Sequence, residues 1–424
     1  MDMKQDFVLD GGLRVVIEPL PHTHSVSICA FLTVGSGHET APQSGMAHFV
    51  EHMMFKGTAR RPTSKLLVDT IEGVGGILDA YTNFESTVYS VKVADIHQAR
   101  AIDVLADMLL NPLMRDADVE KERRVITEEI SQTLDTPAEH VHLLFDAQLW
   151  GDQPLGRDIA GNAATVAQFS PRALYDFWRA TYVRQNLIIS VAGNVDVAAT
   201  RAMIEQAFAP MQSGTTHQLV PSLPPREGPC VHIHHADSEQ VHFCLGMPGL
   251  AINDPDRRAM LVFDAIVGGN STSRLFQEIR EERALAYMIG SYSREYAEVG
   301  KWVVTASVDP QATDETIAAV MKVLRMVRNT GITAEELAQI KEQVKGGILL
   351  SLEDSMSVAA RNGSHLLRYG RIIPIDDVVR EVEMLTVADV MRVAQRVLTP
   401  TALHLTCIGP VDNHAALLHE LQFA

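Results

Sequence analysis

Two halves of this chain repeat each other. Ser170 and Pro171 read as the N-cap and first-turn proline of a helix. The apolar run 187–191 follows it and ends in Gly193, Asn194, Val195 and Asp196. Thr386, Val387, Ala388 and Asp389 open a similar helix, and 403–412 repeats the strand and turn. The interval from Ser170 to Thr386 equals that from Gly193 to Gly409. The helical stretch 98–134 has a counterpart at 315–351, where Thr333, Ala334, Glu335 and Glu336 start a helix. An internal duplication accounts for these matches. With 424 residues the chain is long enough for paired domains. The expected division is 1–212, a linker at 213–229 rich in Ser, Thr, Pro and Gly, and 230–424.

The copies are not chemically equal. The first carries His48-Phe49-Val50-Glu51-His52, an H-x-x-E-H spacing. Residues four apart in a helix lie roughly 40° apart around the axis, so His48 and His52 can point at one metal ion. Glu51 borders that face, where a general base for a metal-bound water belongs. Met46, Ala47, Phe49, Val50, Met53, Met54 and Phe55 make the rest of the helix apolar and predict that it is buried. The pentapeptide alone also fits two core histidines beside an acid. A catalytic zinc needs a third protein ligand. Glu129, far beyond His52 in the helical stretch 116–134, is the candidate. Glu122, two helical turns earlier, shares its side of that helix. It is either a surface ion-pair acid or one that orients a zinc-bound histidine. Glu128 points about 100° away from Glu129 and is not expected to be a ligand. At the corresponding place the second copy reads Phe263-Asp264-Ala265-Ile266-Val267-Gly268-Gly269, which cannot hold zinc.

H-x-x-E-H, followed at the interval from His52 to Glu129 by a further Glu, resembles the inverted-zincin peptidases of the pitrilysin/insulinase (M16) family. Three stretches are also similar to the catalytic β-subunit of mitochondrial processing peptidase: 45–58 around the zinc motif, Leu78-Asp79-Ala80-Tyr81-Thr82, and 122–129. The resemblance covers essentially the whole chain. It implies an α+β fold of two homologous domains, each an antiparallel β-sheet with helices packed on one face, the M16/LuxS-like metallohydrolase fold. The first domain would be catalytic and the second a degenerate copy. It implies one Zn²⁺ per chain held by His48, His52 and Glu129, with Glu51 as base and Glu122 behind a zinc histidine. It implies that Asp79, Ala80, Tyr81 and Thr82 form an edge strand that pairs with substrate backbone. Asp79 stands where the family usually has Asn. Arg280 and Tyr287 match the pair with which the family grips substrate carbonyls and stabilises the oxyanion. Family members enclose substrate between four such domains. A chain with two is therefore expected to form a homodimer, or a heterodimer with a related subunit, with Arg280 and Tyr287 reaching the partner's zinc site. The implied activity is zinc metalloendopeptidase cleavage of peptides or extended, basic leader segments. The rival readings are a non-catalytic assembly subunit and a peptide-binding module.

Composition narrows the remaining choices. Hydrophobic and charged fractions of 46% and 21% are globular values, which argues against disorder. The net charge of −17 would repel nucleic acid and anionic membranes at long range and attract cationic partners, or it merely confers solubility, which charge alone favours; the resemblance points to basic substrates. No apolar run reaches membrane-span length. The N-terminus shows neither a signal-peptide pattern nor an Arg-rich transit pattern, so the chain is read as cytoplasmic and bacterial. Cys29, Cys230, Cys244 and Cys407 are scattered and expected as free, buried thiols. His38 sits in a Gly-rich loop and is expected to be solvated. His232, His234, His235 and His242 cluster without a carboxylate in ligand register, so no second metal is expected there.

Overall fold

The computed structural model describes residues 4–422; Met1, Asp2 and Met3, part of the N-terminal stretch read above, lie outside them. The chain forms two compact units, and neither is a continuous run. One comprises Met1–Ile130, Asp158–Pro221 and Leu349–Ile372; the other Ser131–Arg157, Ser222–Ile348 and Ile373–Ala424.

The first unit is built on a six-stranded sheet. Its strands are β1 (Gln5–Val8), β2 (Arg14–Pro19), β3 (Ser25–Leu32), β4 (Ile77–Thr82), β5 (Thr87–Ala94) and β6 (Leu187–Gly193). Their order is β1-β2-β6-β3-β5-β4, which leaves β4 at an edge. Apolar side chains of one sheet face form the main core with α1 (Met46–Met54) and α2 (Asp116–Asp135). Strand β6 is buried along its whole length, and β3 after its first residue, so their opposite face needs cover too.

The second unit has five strands: β7 (Cys230–His234), β8 (Val241–Gly249), β9 (Ala286–Glu295), β10 (Gly300–Val308) and β11 (His404–Ile408). Their order, β7-β11-β8-β10-β9, repeats β2-β6-β3-β5-β4. Three further helices matter below: α3 (Pro137–Trp150), α4 (Arg257–Val267) and α5 (Ala334–Leu350).

The duplication is visible in this topology, but each copy lends a helix to the other's sheet. Helix α6 (Ser355–Tyr369), from the second half of the sequence, covers the back of the first sheet. Val358, Ala359 and Leu366 meet Cys29, Phe31, Ile188 and Ala192 there. Gly363 lies so close that a Cβ would come within 2.1 Å of the Phe31 ring. Ser355 Oγ is 2.9 Å from both Ser25 Oγ and Ser27 Oγ. In the second unit α3, from the first half, covers β8 and β11. Asp146 pairs with the buried Lys301, and Gln148 accepts from the Thr406 hydroxyl.

The observed units therefore differ from the continuous division 1–212, 213–229 and 230–424. The change at Pro221 and Ser222 falls inside the expected linker, but α3 and α6 are exchanged. Repeat spacing reveals copies; it carries no information on which sheet a helix covers. The α+β class stands with two differences in detail. Each sheet holds one parallel pair, β2 with β6 and β7 with β11, and both faces of each sheet's centre are covered. The helix Ser64–Glu72 is capped by Thr63, one residue before Ser64, through the Leu66 N–H.

Candidate active site

The first unit brings the expected zinc residues together. Gly45 ends the loop before α1 in a left-handed conformation, φ 96°. A Cβ there would sit 2.4 Å from Ala160 O, so the helix can begin this close to the 158–161 loop only with glycine. Glu39 is fully buried and accepts from the Gly45 N–H at 2.9 Å and the Ala47 N–H at 2.6 Å. A carboxylate at a helix N-terminus satisfies amides that have no partner inside the helix. Met46, Phe49, Val50, Met53 and Met54 then bury one side of α1 and fix its rotation.

That rotation turns His48 and His52 toward Glu129 on α2. The two histidine Nε2 atoms are 3.2 Å apart. His48 Nε2 is 3.7 Å from Glu129 Oε1, and His52 Nε2 is 3.6 Å from Glu129 Oε2. Zinc bonds of about 2.0–2.1 Å in a tetrahedron separate ligand atoms by roughly 3.3–3.4 Å, so this donor set fits a zinc ion. It is the one group of three His, Cys, Asp or Glu ligand atoms close enough to hold a metal among the described residues. Burial, and secondarily the neighbouring His52, push His48 down to about 4, so its imidazole is neutral and able to bind metal.

A second layer orients the first. Glu122 is buried; one oxygen lies 3.2 Å from His52 Nδ1 and the other 2.6 Å from Lys56 Nζ. Burial pushes the Glu122 carboxyl up, but hydrogen bonds from His52 and Lys56 outweigh it and leave it below its ordinary value. An ionised Glu122 selects the Nδ1–H tautomer of His52 and leaves the Nε2 lone pair facing Glu129. Glu51, 7% exposed, accepts from the Thr82 hydroxyl at 2.5 Å. Burial raises its pKa, and the Thr82 bond offsets only part of that. Asp158 is also raised, by burial first, with the charge of Glu129 adding to it.

Leu78, Ala80 and Thr82 are the more buried alternate residues of β4, while Ile77, Asp79 and Tyr81 are exposed. Thr82, expected only among the substrate residues, thus also touches Glu51. Arg280 and Tyr287 lie in the second unit. Arg280 sits in the π-helix Phe276–Glu282, its guanidinium 4.8 Å from the Phe276 ring centre and 5.1 Å from that of Tyr287. Tyr287 is 76% exposed.

Some expectations need correction. His38 is half-buried: the Gly35 N–H donates to its Nδ1 at 3.1 Å, and burial pushes its pKa down to about 4. Three of the four cysteines are buried free thiols, but Cys230 is only half-buried. In the histidine-rich strands His234 meets His140 edge to face, and His242 Nδ1 lies 2.8 Å from Ser307 Oγ. Glu39, Lys56 and Asp158 were not singled out from sequence. Lys56 had a usable signal, four residues after His52, although the helix itself ends at Met54; Asp158 had none nearby.

Comparison with known proteins gives the family. Residues 14–163 match the family described as insulinase, peptidase family M16, and residues 168–344 match the peptidase M16 inactive domain. An uncharacterized zinc protease of Streptomyces coelicolor is 36% identical over 420 residues, 97% of this chain and 91% of that one. The uncharacterized zinc protease YmxG of Bacillus subtilis is 32% identical over 416 residues, 97% of this chain and 99% of that one. A crystal structure of a Helicobacter pylori protease superposes with a TM-score of 0.89 at 21% identity, covering 97% of this chain and 100% of that one. No helix among the described residues is long and apolar enough to cross a membrane. The length and identity of these matches, together with the two family domains that cover most of the chain, mean that this chain belongs to the insulinase family of peptidases, M16.

Proposed function

We propose that the protein is a zinc metalloendopeptidase acting on extended peptide segments. The observation that carries this reading is the convergence of His48 Nε2, His52 Nε2 and the Glu129 carboxylate beside the buried Glu51. His48, His52 and Glu129 would hold one Zn²⁺. Bound there, zinc supplies Lewis acidity for the scissile carbonyl and for water. Lys56 and Glu122 hold His52 in its ligand tautomer. Glu51 takes a proton from the attacking water and passes it to the leaving amine. The Thr82 hydroxyl keeps the Glu51 carboxylate from rotating away. An extended substrate adds to the β4 edge at Asp79, Ala80, Tyr81 and Thr82, which gives affinity through backbone bonds. Arg280 and Tyr287 donate hydrogen bonds to substrate carbonyl oxygens as negative charge develops. They act from this chain or, in a homodimer enclosing the substrate, from a second copy; a related subunit could take that place. The net charge of −17 suits basic segments.

The test is cleavage of a basic, extended peptide read by fragment mass. Fragments are expected with the zinc-loaded protein, none after chelation, and recovery when zinc is restored. Cleavage that survives removal of all metal would contradict the proposal.

A further inference from the structure

The free edge of β4 is not fully open. This strand pairs with β5 and has no neighbour on its other side among the described residues. The Asn83 N–H donates to Ser86 O at 2.8 Å, and the register pairs Thr82 with Thr87. Residues that exchange hydrogen bonds alternate along an antiparallel pair. Asp79 and Tyr81 therefore bond toward β5, and the backbone groups of Leu78, Ala80 and Thr82 face the open side. The central donor on that side is already engaged, because the Ala80 N–H donates to Asp79 Oδ1 at 2.9 Å. A charged side chain on an edge strand is a common guard against unwanted strand pairing.

We infer that Asp79 is a specificity-determining latch on the substrate edge: an extended segment pairs with β4 by taking the Ala80 N–H from Asp79, and segments that bring a cationic side chain to the released carboxylate pair best. This rests on the reading of β4 as the substrate edge. The exchange conserves the backbone bond, since a substrate carbonyl replaces the carboxylate as acceptor. What is lost is a charge-assisted bond, and an adjacent lysine or arginine can restore one. A neutral segment leaves the carboxylate to water, and an acidic one adds repulsion.

The test uses fluorescent extended peptides carrying lysine or norleucine at each position in turn. Binding is followed by anisotropy on the zinc-loaded Glu51→Gln protein, with and without Asp79→Ala or Asp79→Asn, and cleavage is followed with Glu51 intact. At one position lysine should bind about tenfold more tightly than norleucine. Asp79→Ala should tighten norleucine peptides about fivefold and bring the ratio near one. Asp79→Asn keeps an acceptor for Ala80 without the charge, so it should lose the lysine preference while neutral peptides stay weak. Ratios that do not respond to Asp79→Ala overturn the latch, and so does an absence of binding in every variant. Cleavage by the parent protein with unchanged ratios would overturn the latch and leave the peptidase reading standing. Lysine-selective binding that depends on Asp79, with no cleavage, would uphold the latch and overturn the peptidase reading.

Discussion

The proposed zinc site and the same place in the second copy started from one design and now do different work. Setting the first residue of β5, Thr87, on the first of β10, Gly300, aligns the two copies here. That alignment also places Tyr89 on Trp302 and Glu51 on Asp264. Both acids sit on the helix over the sheet, and burial raises both. Glu51 has Thr82 as its hydrogen-bond donor and is followed directly by His52. Asp264 accepts from Ser291 Oγ at 2.6 Å and from Trp302 Nε1 at 2.7 Å, while the Trp302 ring packs on Phe263. The second acid is a half-buried strut that holds Ser291 and Trp302. On the long helices the first residues of α2 and α5, Asp116 and Ala334, give the alignment. It sets Glu122 against the buried Ile340 and Glu129 against Gly347. A Cβ at Gly347 would meet nothing within 4 Å. Of the three acids compared, only Glu51 has an acidic counterpart, Asp264, and that one accepts two hydrogen bonds.

The comparison can be broken at four positions, in order of effect. Glu129→Gln should strip zinc and stop cleavage, measured by metal content and turnover; zinc retained at full occupancy would remove Glu129 from the ligand set. Glu122→Gln should weaken zinc binding about 10- to 100-fold, measured by chelator competition, because His52 loses its anionic partner. Asp264→Ala should destabilise the fold by about 2 kcal/mol in denaturant unfolding while leaving zinc affinity unchanged, since Trp302 Nε1 and Ser291 Oγ lose their acceptor. Zinc loss in that variant would mean the second acid is not merely a strut. Gly347→Ala should stabilise by about 0.5–1 kcal/mol through helix propensity alone. A destabilised Gly347→Ala would show that the glycine serves a contact or a motion.

His48, Glu51 and His52 were legible because helical spacing places them on one side without any tertiary information. Glu129 lies far beyond His52 in the chain, and only the resemblance selected it among the acids of α2. Glu122 was open between two roles; its contacts with His52 and Lys56 come from α1 meeting α2. Glu39 and Thr82 reach the zinc helix from a loop and an edge strand, contacts that no local periodicity encodes. The exchange of α3 and α6 was invisible for a similar reason. Helix α6 is amphipathic in sequence and α3 hardly so, and the sheet each covers depends on the path of the chain between copies. His38 was misjudged because a Gly-rich loop was taken as exposed, whereas its backbone folds back onto Asn83 and Phe84.

Glu51 gives the most direct test. Zinc content and peptide cleavage should be measured side by side for the wild type and Glu51→Gln. One zinc per chain in both, with cleavage lowered about 10²- to 10⁴-fold in the variant, is the expected result. Equal cleavage by the two proteins, or a Glu51→Gln protein that no longer holds zinc, would contradict the assignment of Glu51 as the base beside an independent ligand set.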